Sequence, residues 1–457
     1  MRQTKHLTPE NVVFLILSFE GPDRYSLAGG LGMRVTQLAN ALSKKGYPTR
    51  LLFVGDPHMP GEEYRSGGRL LLHRWCQWIS QYYPNGVYEG EEAKLYDIND
   101  SVPRFVVEQV ARPAIAAGKT LVVLGEEWHT ADLMCRLSDA LYADGLRDKT
   151  VLFWNANNTM SFHRINWKRL DYTTTITTVS KYMKHLMWGL GVNAQVIPNG
   201  IPTSALHKVD DRDVDRLRES LNKDLILCKV ARWDPDKGWN AAVEATADLK
   251  RAGLRVVLLA RGGIEPHGHE VLHNAARMGL RVNDAWAGAD GQEGYFSAIA
   301  GASDSDVINI RSHLPLDFLR VLYRGCHAVL ANSGREPFGL VGLETMASGG
   351  IAFTGATGED YAIHNHNCVV QETGESSEIV SNLMYLRDHP IHEEKIRRAA
   401  RNSARLFTWE KVVEDLVGKV EQQARAQGAL THVTAPETPH EPRPLEKRVA
   451  VAAFRAA

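Results

Sequence analysis

Three stretches of this chain carry residue types suited to a charged, hydroxyl-rich ligand. In Glu336-Pro337-Phe338-Gly339-Leu340-Val341-Gly342-Leu343-Glu344, two carboxylates are separated by seven residues. The first falls in the loop after an apolar run and the second one or two turns into a helix, so each can accept hydrogen bonds from sugar hydroxyls. Backbone N–H groups of Phe338 to Leu340, at the helix start, can meet a further oxygen. In Val230-Ala231-Arg232-Trp233-Asp234-Pro235-Asp236-Lys237-Gly238, Arg232 and Lys237 share one loop at a strand's end, where two fixed cations can neutralise a leaving diphosphate. Ala28-Gly29-Gly30-Leu31-Gly32 follows the first apolar run and opens a helix. Glycines there let the backbone approach a ligand, and the helix start offers N–H groups to an anion. The Gly-Gly-x-Gly spacing is not the G-x-G-x-x-G of a dinucleotide fingerprint. Each motif also has a plain reading: a dipole complement, solvated surface charge, an ordinary strand-to-helix turn. For the carboxylate pair the context argues otherwise, because it lies between a strand and the glycine-rich stretch ending Ala347-Ser348-Gly349-Gly350.

Elements must bring these stretches together. Short apolar runs at 12–19, 49–54, 120–124, 151–154 and 175–179, then at 225–230, 255–260, 307–310, 328–331 and 351–354, read as strands. Helical periodicity fills 32–45, 239–252, 317–324 and 340–348 between them. Continuous apolar strands alternating with helices imply parallel sheets covered on both faces, with ligands at the strands' carboxyl ends. The alternation pauses at Pro198-Asn199-Gly200-Ile201-Pro202 and restarts at Leu225, so two doubly wound domains meet near residue 200. The expected division is 1–200, 201–406, a final helix over 407–428, and a Pro-rich polar tail over 429–457 that suits mobility rather than core.

The 457 residues carry 53 Lys+Arg against 54 Asp+Glu, a net charge of −1, which argues against a dedicated nucleic-acid binder and for a small-molecule partner. Five scattered cysteines, no two within about 40 residues, contain no Cys-x-x-Cys motif and fit a reducing, cytoplasmic compartment. The early apolar run at 12–17 is far shorter than a membrane span.

The ordered series Ala28-Gly29-Gly30-Leu31-Gly32, Thr178-Val179-Ser180, Val196-Ile197-Pro198-Asn199-Gly200-Ile201, Arg232…Lys237-Gly238 and Glu336…Glu344 resembles family-4 retaining glycosyltransferases over about residues 12–420, with distant similarity to glycogen and starch synthases. The resemblance implies a GT-B fold: two Rossmann-like doubly wound α/β domains facing across a cleft, with a C-terminal helix crossing back to the first. It implies a nucleoside diphosphate sugar (UDP-, GDP- or ADP-linked) bound mainly by the second domain and a hydroxyl acceptor by the first. Carried over, Arg232 and Lys237 would hold the diphosphate, Glu344 the ribose, and Glu336 with the backbone of Phe338, Gly339 and Leu340 the sugar. Gly29 and Gly30 would close on the phosphate from the other domain. Glu127-Trp128-His129 resembles the Asp-Trp-His stretch placed near the sugar in glycogen and starch synthases, which brings Glu127 and His129 into the donor set. No cofactor or metal is implied beyond the co-substrate.

Two departures stand out. The Lys that precedes Thr-Gly-Gly-Leu in glycogen synthases is Leu27 here, which argues against a polymer synthase. The family's His after the strand at 151–154 is missing from Asn155-Ala156-Asn157-Asn158; Asn157 aligns best with it, with Asn155 and Asn158 as alternates. An NDP-sugar epimerase or phosphorylase on the same fold, and a sugar-nucleotide-binding protein without turnover, are the rival readings. His269-Glu270-Val271-Leu272-His273 matches the zinc pattern H-E-x-x-H, but no third ligand stands at a familiar spacing, and the double α/β pattern opposes a metalloprotease. Trp75, Trp78, Tyr82 and Tyr83 read as core in preference to a sugar-stacking platform. Lys181 to Trp188 reads as one amphipathic helix, with peripheral membrane contact as the other reading.

Overall fold

In the computed structural model, which describes residues 6–288 and 291–430, the apolar runs are strands buried on both faces. The first sheet contains β1 (Val12–Leu17), β2 (Thr49–Val54), β3 (Glu62–Arg65), β4 (Leu70–Trp75), β5 (Thr120–Glu126), β6 (Thr150–Ala156), β7 (Thr175–Thr178) and β8 (Gln195–Val196). Their spatial order is β3-β4-β2-β1-β5-β6-β7-β8, parallel throughout except for β3, which runs antiparallel to β4. The second sheet contains β9 (Leu225–Val230), β10 (Val256–Arg261), β11 (Val282–Ala285), β12 (Val307–Ile310), β13 (Ala328–Ala331), β14 (Ala352–Thr354) and β15 (Val369–Val370). Its order is β11-β12-β10-β9-β13-β14-β15, parallel throughout.

Alternate residues of each strand feed opposite faces. Leu15, Leu17, Val123 and Leu152 join one core of the first sheet, and Phe14, Ile16, Val122 and Phe153 the other. That second core also receives Val35 and Leu38 from the helix Gly30–Lys44, and Trp409, Val412, Val413, Leu416 and Val420 from the last helix, Trp409–Ala426. The chain reaches this last helix at a crossing with the interdomain segment, where Ile201 N–H donates to the Phe407 carbonyl (2.9 Å) and Trp409 N–H to the Ile201 carbonyl (3.0 Å). Phe338, Leu343, Met346 and Tyr361 of the second half pack into the first sheet's other core.

All ten sequence-derived strands are present, together with β3, β4, β8, β11 and β15, which the pattern does not show. β8 and β15 are two residues long, too short to display a period. β4 is hidden by Arg74, a buried cation that Asp23 (2.8 Å) and Glu63 (2.6 Å) neutralise from other segments. Of the four aromatics expected in the core, Trp75 and Tyr83 pack partly buried against it, whereas Trp78 and Tyr82 do not. Cys76 takes a left-handed conformation (φ 56°) that ends β4, the helix after it spans only Gln77–Ser80, and Trp78 and Tyr82 are exposed. Residues 431–457, most of the expected tail, lie outside the described residues.

Candidate active site

The strand order reverses between β9 and β13 in the second sheet, and a doubly wound sheet opens its binding crevice where neighbouring strands lead their loops apart. The loop after β9 carries Arg232 and Lys237, and the loop after β13 carries Glu336. Gly334 N–H donates to the Asp236 carbonyl at 2.9 Å and ties the two loops together. Their close approach requires Gly238: its φ is +66°, and a Cβ there would stand 2.4 Å from the Asn332 carbonyl oxygen. As a result Lys237 Nζ sits 2.9 Å from Glu336 Oε2. Arg232, by contrast, is 70% exposed, and its ion-pair contact is Asp234 at 4.0 Å, so its guanidinium faces open space. Beneath them Lys229 is fully buried, donating to the Leu330 carbonyl (2.9 Å) and to Asn332 Oδ1 (2.5 Å). Burial, helped by Lys237, lowers its ammonium to about 7. A pocket of about 320 Å³ opens beside these loops, lined by Asp236, Gly238, Ser333, Gly334 and Gly355 among others.

Phe338 is buried against Tyr361, and Gly339 caps the helix Leu340–Ala347 in a left-handed conformation (φ 78°). Glu344 lies one turn into that helix, half-buried; burial raises its carboxyl to about 7, an effect the neighbouring Tyr323 hydroxyl partly offsets.

In the first sheet the order reverses between β1 and β5. The glycine-rich turn after β1 is shaped by a residue that sequence reasoning passed over. Glu20 Oε2 accepts from the N–H groups of Ala28 (3.1 Å), Gly29 (2.9 Å) and Gly32 (3.1 Å), while Tyr88 donates to its other oxygen. One of the two N–H groups expected to meet a phosphate is thus engaged; Gly30, the first helical residue, has no intrahelical acceptor, and Gly29 and Gly30 both face open space. A pocket of about 480 Å³ adjoins this turn, lined by Arg24, Leu27, Ala28, Asp56, His58 and Tyr88 among others.

β5 ends in two adjacent carboxylates with different partners. Glu126 is buried against Arg34 of the first helix (Nε–Oε2 3.1 Å) and accepts from Asn155 Nδ2 (3.0 Å) and Asn157 Nδ2 (2.9 Å). Arg34 also reaches Asn199 Oδ1 at 2.6 Å, in the interdomain segment. Glu127 adopts φ 68°, ψ 168°, a backbone region that residues other than glycine avoid. Its Oε1 accepts from the backbone N–H of Asn157 (2.5 Å) and Asn158 (3.2 Å), and burial raises the carboxyl to about 7. Asn157 is therefore held by both glutamates at the end of β6. His129 turns inward: its ring is 4.2 Å from that of Phe19 and 3.9 Å from that of Trp128, and Nε2 is 2.8 Å from Glu91. Burial, with Arg164, lowers its imidazole to about 3, so it is neutral at physiological pH. Glu126 and Arg34 were missed although Glu126 precedes Glu127 directly; tandem carboxylates at a strand end were the available signal.

His269 and His273 are exposed on the helix His267–Arg277, and among the described residues no three His, Cys, Asp or Glu side chains are placed to hold a metal ion. Lys181–Trp188 is one helix, capped by the Ser180 hydroxyl and burying Met183 and Met187. Among the described residues no helix is long and apolar enough to cross a membrane.

Two parallel-rich α/β sheets with covering helices, each opening a crevice at its strand reversal, define the GT-B fold. Residues 211–403 match the family model of glycosyl transferases group 1. The chain is similar in structure to sucrose-phosphate synthase from Thermosynechococcus elongatus (TM-score 0.63, 17% identity, covering 91% of this chain and 99% of that one). It is also similar to the catalytic domain of starch synthase IV from Arabidopsis thaliana bound to ADP and acarbose (TM-score 0.63, 16% identity, 91% and 99% covered). A third similar structure is Anabaena HepE in complex with UDP (TM-score 0.58, 12% identity, 90% and 100% covered). No curated protein matches the chain in sequence.

Proposed function

We propose that this protein is a retaining glycosyltransferase of family 4 that moves a sugar from a nucleoside diphosphate sugar to a hydroxyl acceptor. The observation that carries the reading is the meeting of the β9 and β13 loops, which sets an exposed Arg232 and the Lys237–Glu336 pair beside the helix start at Gly339. That arrangement offers cations to a diphosphate and a carboxylate with helix N–H groups to sugar hydroxyls. Glu344, one turn further in, takes the ribose. Similar structures that hold UDP or ADP agree with a nucleotide-linked donor.

Arg232 and Lys237 stabilise the charge that develops on the leaving diphosphate, and Gly30 N–H approaches it from the first domain. The acceptor occupies the pocket beside Ala28, where its hydroxyl meets the anomeric carbon on the face the diphosphate leaves. The departing phosphate oxygen takes the acceptor proton, so no enzyme nucleophile is needed. Asn157 stands in the place of the family's histidine. Its amide can hold a sugar hydroxyl but does not titrate near neutral pH.

The test is a panel of UDP-, GDP- and ADP-sugars with and without hydroxyl acceptors, following nucleotide release. Release that requires an acceptor, with the anomeric configuration kept in the product, supports the reading. Sugar interconversion without acceptor would make the protein an epimerase, phosphate-dependent release a phosphorylase, and binding without release a non-catalytic receptor.

A further inference from the structure

Among the described residues, Glu359 is the one Asp or Glu with buried oxygens that meet no hydrogen-bond partner, and both of its carboxyl oxygens are in that state. The residue is 8% exposed. A carboxyl set near a helix start for structural reasons accepts N–H hydrogen bonds there. This one packs on the helix cap instead, with Oε1 2.9 Å from the point where a Cβ on Gly339 would stand.

The segment around it is tightly built. Gly358 lies against the Glu336 carbonyl, and a Cβ on it would come within 1.8 Å of that oxygen. Tyr361 donates its hydroxyl hydrogen to the Gly339 carbonyl. Asp360 Oδ2 accepts from Lys181 N–H of the first domain at 2.8 Å. The chain therefore fixes Glu359 beside the Glu336 loop and the helix cap, then leaves its carboxyl unpaired in a place where burying a polar group without a partner is costly.

We propose that Glu359 is a second recognition residue for the transferred sugar, hydrogen-bonding one of its hydroxyls across the Gly339 cap from Glu336. The inference rests on the donor reading given above. Its surroundings select the ligand's chemistry. Glu336 and Asp360 place negative charge around Glu359, which disfavours an anionic group there. Burial and the neighbouring Glu336 keep the carboxyl protonated to about 9. A neutral carboxyl offers one O–H donor and one carbonyl acceptor, the complement of a neutral sugar hydroxyl.

Calorimetry on the full chain tests this with UDP, GDP and ADP and their glucose conjugates. If the parent protein binds none of them, the donor reading falls and this inference falls with it. Where a nucleotide and its sugar conjugate both bind, Glu359→Leu is expected to weaken the conjugate tenfold or more while leaving the bare nucleotide within about twofold. Glu359→Gln, which still donates and accepts, is expected to keep most of the conjugate's affinity. Equal loss for nucleotide and conjugate, or no loss for either, overturns the proposal. If Glu359→Leu does not fold, the 2-, 3-, 4- and 6-deoxyglucose donors replace it as probes. Binding by the parent should then fall tenfold for at least one of them, and Glu359→Asp, whose carboxyl stops one methylene short, should shrink that penalty at one position. Penalties identical in parent and Glu359→Asp at all four positions overturn the assignment.

Discussion

Arg232 and Lys237 sit in one loop but stand in different electrostatic states. Lys237 is matched by Glu336 at 2.9 Å, whereas Arg232 projects into solvent with Asp234 4.0 Å away. An exposed, loosely paired guanidinium contributes little to stability, so its removal tests function cleanly. Arg232→Ala is expected to lower kcat about 10²-fold or more, as loss of a preorganised charge-stabilising donor does, with an unchanged melting temperature. Near-parental turnover of an NDP-sugar by this variant would remove Arg232 from the diphosphate site. Glu127 presents the opposite case, a carboxyl held in a costly place. Its proton is retained to about 7, against an ordinary 4.5, because burial disfavours the charge. The native state then binds more protons than the unfolded chain between about pH 4.5 and 7, so this group lowers stability as pH rises through that window and no further above it. The rise corresponds to roughly 3 kcal/mol. Glu127→Gln keeps an oxygen to accept from the Asn157 and Asn158 N–H groups, so it is expected to melt higher than the parent at pH 8, with the gain vanishing near pH 4.5. A gain that is the same at both pH values would show that the carboxyl's ionisation is not the cause.

Among the elements, the loops that follow β5, β6 and β13 are fixed by contacts from elsewhere in the chain. Gly358, in the loop after β14, backs onto the Glu336 carbonyl with φ +81°, so an added methyl meets both a strained backbone and an oxygen at 1.8 Å. Gly358→Ala is expected to displace the Glu336 loop, lowering stability by about 2 kcal/mol or more and abolishing donor binding. Unaltered donor affinity by calorimetry would show that the loop does not depend on this contact. The Arg34–Glu126 pair couples the first helix to the ends of β5 and β6 and, through Asn199, to the interdomain segment. Arg34→Met leaves the buried Glu126 without its cation, a change worth about 3–5 kcal/mol in urea unfolding. Arg34→Met with Glu126→Leu should recover a large part of that loss. A double variant as unstable as the single one would mean that Arg34 acts through its other contacts.

At the scale of the whole molecule, the last helix binds the end of the chain to the sheet formed at its beginning. Trp409 is 4% exposed and shares a core with Phe14, Leu38 and Phe153. Trp409→Ala is expected to cost about 3–5 kcal/mol, measured as a lower denaturation midpoint. Because the helix starts at the crossing with Ile201, donor-dependent activity should fall further than donor binding. Loss of both in equal measure would confine the helix to a stabilising role.

The alternation of apolar runs with amphipathic stretches was enough to establish two parallel α/β sheets, because a strand buried on both faces has to be continuously apolar and a parallel return has to pass through a helix. All ten strands with such runs were legible, as were the loops carrying Arg232, Lys237 and Glu336, since a motif's place directly after a strand already puts it at a carboxyl end. β4 was not, because Arg74 is affordable inside a sheet only when Asp23 and Glu63 arrive from distant segments. Nor could local spacing reveal that Glu20 occupies the glycine turn, that His129 packs inward against Phe19, or that Glu126 gathers Arg34, Asn155 and Asn157. Those outcomes depend on which loops lie side by side, and that is decided by strand order. Only the folded sheets, by setting β1 beside β5 and β9 beside β13, determined which side chains meet, which charges face one another, and which buried carboxyl among the described residues, Glu359, is left without a partner.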